Sequence, residues 1–202
     1  RVCKIYLIIF IGVFFNLIIV KYGFSASIAK NKINFEEGQF TLGDSYCAEE
    51  MKNSDWCADE PLHQVRLEPY SIDKYEVTNA EYLKCFAEGI CSPNELHETR
   101  PSDFTAKNQP VVFISWKDAK TFCEWRGGDL PTEAQWEHAA QGNNPGGAHF
   151  QEIYNTGSTR DVGSKSANSN GLYDMMGNVY EWTLDWYGPY PVDGTLNPKG
   201  PP

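Results

Sequence analysis

The sequence predicts a globular domain of mixed α and β structure, in which strands come first, helices follow and irregular loops close the chain. Apolar and polar residues alternate in the stretch from 35 to 78, which is the pattern of half-buried strands. Three helix start signals then follow before residue 142. With 202 residues and 14% aromatic side chains, the chain can bury a substantial core. We therefore expect one folded domain without internal repeats.

The N-terminus carries an apolar run of sixteen residues, positions 5–20, between Lys4 and Lys21. Small residues such as Ala26 follow the run. This arrangement is typical of a secretory signal peptide, and sixteen residues is short for a membrane span. We assign residues 1–29 as a signal peptide or a short membrane anchor, and we expect an exported protein that is periplasmic, secreted or lumenal.

The charge balance argues against a nucleic-acid-binding surface. Four of the 17 basic residues lie in the first thirty positions, which leaves 13 basic against 27 acidic side chains in the remainder. Proteins that bind nucleic acids need a basic stripe, so we expect no nucleic acid among the partners. An acidic surface suits cation binding, although a solvated acidic surface is the more common explanation.

The first structured region predicts β-strands. Residues 35–45, FEEGQFTLGDS, alternate like a strand that enters a turn, after a polar linker from about Ser27 to Asn34. Residues 63–78, HQVRLEPYSIDKYEVT, alternate again and are interrupted by Pro69. Because proline cannot donate to a sheet ladder, we expect paired strands with a break at Pro69.

Three helices are predicted next, each by a polar residue that caps its N-terminus and an acid or amide three positions later. These pairs are Thr78 with Glu81, Ser115 with Asp118, and Thr132 with Gln135. The glycines that end the three helices are Gly89, Gly127 and Gly142. Between the first two helices, residues 111–115, VVFIS, predict a short buried strand.

Export implies an oxidising environment, in which cysteines form disulfides. One cysteine lies in the signal segment and five remain, so they cannot all pair within the chain. Proximity favours Cys47 with Cys57 and Cys85 with Cys91, although connectivity does not follow from sequence alone. Cys123, in a helical setting, is then either a buried thiol or a cysteine whose partner is missing from this chain.

The stretch Gly171–Tyr187, which we call the aromatic–acidic segment, is the strongest candidate for a site. It holds five aromatic rings and the carboxylates of Asp174 and Glu181. A tight turn at Gly177, where glycine allows a positive φ, would bring the carboxylates and the carbonyls between them together. Ca²⁺ prefers such hard oxygen ligands. The alternative interpretation is structural: Asp174 caps a turn, Glu181 faces water and the rings belong to the core.

Other catalytic interpretations have weaker support. The chain contains four histidines, His63, His97, His138 and His149. They are scattered along the chain without the paired spacing of a metal site, so a packed or surface role is the better interpretation.

Five motifs, taken together and in order, resemble the sulfatase-modifying factor family, whose namesake is the formylglycine-generating enzyme. They are EVTNAEY at 76–82, PVVFISWKDAKTFCEW at 110–125, GGDLPTEAQWEHAAQG at 127–142, NGLYDMMGNVYEWTLDWY at 170–187 and NPKGPP at 197–202. The resemblance covers about residues 35–202. It implies a C-type-lectin-like α+β fold with much irregular structure, stabilised by Ca²⁺ in secreted or lumenal proteins.

The resemblance also implies which residues bind calcium. The family's site maps onto the side chains of Asp174 and Glu181 and the carbonyls of Gly177 and Val179. Family members often carry Asn at the position of Asp174, and either residue offers an oxygen. A second calcium site of the enzymes would start at Asn155 and Thr156, but the loop that supplies its aspartate is shortened in this chain.

For catalysis, the resemblance implies oxidation of a sulfatase cysteine to formylglycine with O₂ and a copper ion held by a cysteine pair. In the family, an RGGSW-like segment, that cysteine pair and a closing GFR motif lie beyond the equivalent of NPKGPP. We therefore expect a domain that is incomplete at its C-terminus, with no residue here matching the copper ligands. Cys123 matches a family cysteine whose partner lies near that missing end.

Two functions follow from the resemblance. In the first, the full-length protein is an oxidoreductase that generates formylglycine in a sulfatase client. In the second, it is a non-catalytic or differently catalytic exported scaffold of the same fold that binds another exported protein. A cysteine pair in the missing region distinguishes the first from the second. The sequence does not determine the oligomeric state.

Overall fold

The computed structural model describes residues 31–43, 62–95, 100–142, 149, 158–188 and 196–201. Within these ranges, four strands precede three helices, in the order that the sequence predicts, and the other described residues are irregular apart from one 3₁₀ turn. The strands are β1 (Lys32–Phe35), β2 (Gly38–Leu42), β3 (His63–Leu67) and β4 (Tyr70–Asp73). The helices are α1 (Asn79–Phe86), α2 (Trp116–Trp125) and α3 (Glu133–Ala140), with a 3₁₀ turn at Pro101–Phe104.

The strands form two antiparallel pairs that are nested in the sequence. β2 pairs with β3, and β1 pairs with β4, with Phe35 opposite Tyr70. The predicted break at Pro69 is confirmed because β3 ends and β4 begins on either side of it. The predicted polar linker extends too far, since β1 already begins at Lys32. Pairing with Asp73 and its neighbours makes this polar stretch a strand.

The three predicted helix starts are confirmed by the hydrogen bonds at their N-termini. The side chains of Thr78 and Thr132 each accept the backbone N–H three residues on, and Glu81 and Gln135 complete both capping boxes. Ser115 accepts the N–H of Asp118 in the same way. These local bonds satisfy N–H groups that have no partner within the first helical turn, so a short sequence pattern is enough to place each helix.

The predicted strand at residues 111–115 is wrong. The segment has no strand ladder, and the isolated antiparallel bridge beside it joins Thr78 to Pro110. Phe113 has a φ of 57° and is 46% exposed. A left-handed residue breaks the alternation of a strand, and this conformation is unusual for a bulky side chain. The apolar run therefore divides between core and surface instead of filling a sheet, since Val111 is buried and Phe113 is exposed.

Two apolar clusters hold the fold together. The helical core consists of Val77, Tyr82, Cys85, Cys91, Val111, Ala119, Phe122, Cys123 and Leu130. The sheet core consists of Phe40, Leu42, Val65, Leu67, Tyr70, Ile72, Ala134, Ala139, Leu172 and Met175. The aromatic–acidic segment contacts both, because Leu172 and Met175 lie in the sheet core while Leu184 packs against the helical core.

An aromatic cluster packs α3 against the strands. The ring of His138 lies 5.1 Å from that of Phe35 and 4.8 Å from that of Phe40, between centroids. The Tyr70 hydroxyl lies 2.9 Å from His138 Nδ1 and donates to the carbonyl of Gln135. His138 is therefore a packed residue of the fold, as expected for a histidine without a metal-site spacing.

The part of the chain that the structure describes contains no helix with the length and apolar character needed to cross a membrane. The proposed signal segment, residues 1–29, lies outside the described residues.

Candidate functional site

The aromatic–acidic segment is a series of turns and extended stretches without a helix or a strand. Its tightest turn lies between two left-handed residues, Asp174 with a φ of 58° and Asn178 with a φ of 65°. The prediction of a positive φ at Gly177 is therefore wrong. Asp and Asn visit this conformation more readily than other non-glycine residues because their short polar side chains bond locally. The turn is nevertheless where the sequence predicts it.

Asp174 is buried and holds a neighbouring loop. It is 7% exposed, and its Oδ2 accepts the backbone N–H of Gly163 at 2.6 Å. The N–H of Gly177 donates to the Asp174 carbonyl at 3.4 Å, and the N–H of Val179 donates to the Gly177 carbonyl at 2.9 Å. The turn therefore concentrates oxygen atoms in a short length of chain.

Glu181 contacts a different element. Its Oε2 accepts the indole N–H of Trp136, which lies on α3, at 3.1 Å. The two predicted carboxylates therefore bond to a loop at Gly163 and to a helix, respectively. Within the described ranges, no three His, Cys, Asp or Glu side chains group closely enough to hold a metal ion. A site here would consequently combine the two carboxylates with backbone carbonyls, which is a donor set that fits Ca²⁺.

Asn178 is a structural residue of the segment that sequence analysis missed. It is 2% exposed, and its Nδ2 donates to Glu76 Oε2 at 2.6 Å and to the Arg160 carbonyl at 3.2 Å. Its Oδ1 accepts the Arg160 N–H at 2.9 Å. The side chain thus links three distant parts of the chain. The Gly-Asn dipeptide signals a turn, but nothing in the local sequence identifies Glu76 as its partner.

Most rings of the segment lie at the surface, so the interpretation that they belong to the core is wrong for four of the five. Tyr180 is fully exposed, Trp182 is 50%, Trp186 72% and Tyr187 81% exposed. Tyr173 instead stacks on Tyr75 at 4.8 Å between centroids.

Two indole hydrogen bonds hold the exposed rings in place. Trp182 Nε1 donates to the Ile114 carbonyl at 3.1 Å, and Trp116 Nε1 donates to the Thr183 carbonyl at 2.7 Å. Trp186 stacks on Trp116 at 5.9 Å between centroids. The rings are therefore an ordered aromatic surface.

Asp185 anchors the end of the segment to α3. Its Oδ2 accepts the N–H of Glu133, in the first turn of that helix, at 2.7 Å. Burial raises the pKa of the Asp185 carboxyl, and the N–H donor opposes that shift. A carboxylate at a helix N-terminus also interacts favourably with the helix dipole.

Comparison with known proteins identifies the family. The profile of the sulfatase-modifying factor enzyme 1-like domain matches residues 25–199. The chain belongs to the sulfatase-modifying factor family. It is 30% identical over 240 aligned positions to the formylglycine-generating enzyme of Streptomyces coelicolor, covering 85% of this chain and 74% of that enzyme. Family membership therefore extends over almost all of the sequence.

A second relative in the family carries another name. The serine/threonine-protein kinase pkn1 of Chlamydia pneumoniae is 36% identical over 151 residues, which cover 63% of this chain but 24% of that protein. Among solved structures, Treponema denticola variable protein 1 matches with a TM-score of 0.62 and 21% identity, covering 84% of this chain and 78% of that one. This likeness shows a shared fold.

The described cysteines comprise one disulfide and one buried cysteine. Cys85 and Cys91 are joined in a disulfide, which confirms the pairing expected from proximity. Cys123 is completely buried on α2. Cys47 and Cys57 lie outside the described residues, and so do Asn155 and Thr156 of the second calcium site.

Proposed function

We propose that the protein is an exported member of its family that oxidises a cysteine of a sulfatase client to formylglycine, and that the described residues form its scaffold. The observation that supports this proposal is the identity to the Streptomyces coelicolor enzyme, which extends over 85% of this chain. The C-type-lectin-like classification and the export signal at residues 1–29 are parts of the same proposal.

Calcium has a structural role in this proposal. The side chains of Asp174 and Glu181 and the carbonyls of Gly177 and Val179 would hold the ion. The fit rests on the donor chemistry, since hard carboxylate and carbonyl oxygens lie within eight residues of sequence around a tight turn. The ion would connect the turn at Asp174 to the side chain that bonds α3. It supplies a cross-link and takes no part in oxidation.

Copper does not fit the described residues. Copper(I) prefers soft thiolate ligands, but Cys85 and Cys91 are already bonded to each other and Cys123 is completely buried. We assign no step of the oxidation to these cysteines. The proposal places the copper ligands and the reacting centre outside the residues that the structure describes.

A second candidate function is a scaffold without oxidase activity that binds another exported protein. The same cysteine geometry supports it, because the described part of the domain folds around a disulfide without presenting a thiol pair. The pkn1 relative also supports it, since a protein with a different name contains a similar region as about a quarter of its length.

The experiment that separates the two functions uses the full-length exported protein. It is supplied with copper, O₂, a thiol reductant and a peptide that carries the cysteine of a sulfatase, and mass spectrometry follows formation of the aldehyde. The matched control is the same peptide with serine in place of the cysteine. Formylglycine in the first peptide alone supports the oxidoreductase. Copper-loaded, folded protein that forms no aldehyde contradicts it and supports the scaffold.

A further inference from the structure

A turn rich in asparagine, residues 168–171, covers the C-terminal end of α3. Asn168 Nδ2 donates to the Ala139 carbonyl at 2.8 Å. Asn170 Nδ2 donates to the carbonyls of Ala139 and Gln141, both at 3.2 Å. The last carbonyls of a helix have no partner within the helix, so they need donors from elsewhere in the chain. The two asparagine amides therefore form a C-terminal cap on α3.

One residue of this cap is chemically labile, because Asn170 is followed by Gly171 and this dipeptide occurs only once in the chain. The backbone nitrogen of a glycine can attack the preceding asparagine side chain, since no Cβ hinders its approach. A bond then forms between the Gly171 nitrogen and Cγ of Asn170, the bond from Cγ to Nδ2 breaks, and ammonia leaves. Water opens the resulting cyclic imide to aspartate or isoaspartate. Both products carry a carboxyl group in place of the neutral amide.

The folded turn restrains both groups that must react. The N–H of Gly171 donates to the Asn168 carbonyl at 2.9 Å, which closes the turn. The amide of Asn170 is held by its two carbonyl partners on α3. Ring closure brings the Gly171 nitrogen to Cγ of Asn170, so both sets of hydrogen bonds have to break first. The reaction therefore proceeds from an opened turn, and its rate in the folded protein depends on the free energy of that local opening.

The carboxylate product cannot rebuild the cap. A carboxylate only accepts hydrogen bonds, and the carbonyls of Ala139 and Gln141 also only accept. The C-terminus of a helix is the negative end of its dipole, which disfavours a second negative charge. We propose that Asn170 is a site of spontaneous deamidation, which the folded turn slows and whose modification releases the cap of α3. The proposal does not depend on oxidase activity, since the reaction needs only this chain and water.

The first test compares the rate of deamidation at Asn170 in folded and unfolded full-length protein. The protein is incubated in native buffer and in urea at the same pH and temperature, and mass spectrometry of proteolytic peptides follows the conversion. We expect the folded protein to react at least about tenfold more slowly, which corresponds to about 1.4 kcal/mol of local opening free energy. Asn170→Gln is the control, because the longer side chain would have to close a larger ring. Equal rates in the two buffers, or no reaction in urea, would overturn the proposal.

The second test measures what the modification does to the fold, using Asn170→Asp to reproduce one product. We expect this variant to lower the melting temperature by at least about 2 °C, as the loss of a hydrogen-bonded cap should. Asn34→Asp adds the same charge at an exposed position of β1 and should have a smaller effect. Equal melting temperatures for Asn170→Asp and the parent would contradict the release of the cap. The comparison of rates uses the parent protein, so it tests the proposal even where Asn170→Asp does not fold.

Discussion

The two halves of the aromatic–acidic segment differ in where their large apolar side chains lie. In residues 172–178, Leu172, Asp174, Met175 and Asn178 are buried and belong to cores or hydrogen-bond networks. In residues 180–187, four aromatic rings are exposed. The side chains of the first half thus hold the domain together, whereas the aromatic rings of the second half present a surface. Large apolar side chains in a sequence do not by themselves indicate a core.

The largest expected effect contrasts an apolar side chain from each half. Leu172 is 1% exposed in the sheet core, so Leu172→Ala should lower the free energy of unfolding by about 2–5 kcal/mol. Tyr180→Ala removes a larger but fully exposed side chain and should change stability by less than about 0.5 kcal/mol. Urea unfolding measures both. Similar losses would contradict the division of the segment into two halves.

Calcium would join the two halves, since its proposed ligands include Asp174 in the first and Glu181 in the second. A ligand that binds only the folded state stabilises it by about 2.7 kcal/mol at roughly 100 times its dissociation constant. We expect calcium to raise the melting temperature and Glu181→Ala to abolish most of this effect. Glu37→Ala, which removes an exposed acid in the β1–β2 turn, is the matched control. A melting curve that chelation leaves unchanged would rule out this structural role.

The contribution of the buried network in the first half to stability can be measured by comparing two asparagines that both have a left-handed backbone. Asn178 has a φ of 65° and bonds in a buried network, whereas Asn197 has a φ of 50° and bonds Glu68 at the surface. Both alanine variants lose stability because alanine disfavours the left-handed conformation. The difference between the two losses therefore measures the contribution of the buried hydrogen-bond network. We expect Asn178→Ala to cost about 1–3 kcal/mol more than Asn197→Ala in urea unfolding. Equal costs would mean that burial of the network adds nothing.

The sequence predicts those features of the fold whose causes are local. The capping boxes at Thr78 and Thr132 lie within four residues of chain, and both helices begin where the pattern predicts. Phe113 has no such signal, because its left-handed backbone depends on what surrounds it and not on its own preference. The bond between Asn178 and Glu76 joins residues 102 positions apart, so no short motif contains it.

The same limit applies to the candidate site. The acids and the turn at residues 174–181 are visible in the sequence because they are contiguous. Which rings face solvent is not visible, since Trp182 and Trp116 are positioned by carbonyls of segments 67 or more residues away. Resemblance to a family predicts calcium ligands by position, but the hydrogen bonds of Asp174 to Gly163 and of Glu181 to Trp136 come only from the structure.

The smallest expected effect concerns the aromatic cluster around His138, whose rings are packed together, unlike the exposed rings of the aromatic–acidic segment. Burial lowers the pKa of His138 below its ordinary value of 6.5. The unfolded chain therefore takes up this proton at a higher pH than the folded protein does, and the free energy of unfolding falls as the pH drops from about 6.5 towards the folded pKa. Above that window His138 contributes no pH dependence.

Urea unfolding at about pH 7.5 and about pH 5.5, on either side of the unfolded pKa, measures this contribution. His138→Gln lacks the titrating group but keeps a polar side chain of similar reach, so its stability should fall less between the two pH values than that of the parent. The other three histidines are common to both proteins and cancel in the comparison. An identical pH dependence of the unfolding free energy in parent and variant would show that folding does not disfavour protonation of His138. The cluster of packed rings would then be as accessible to water as the exposed half of the aromatic–acidic segment.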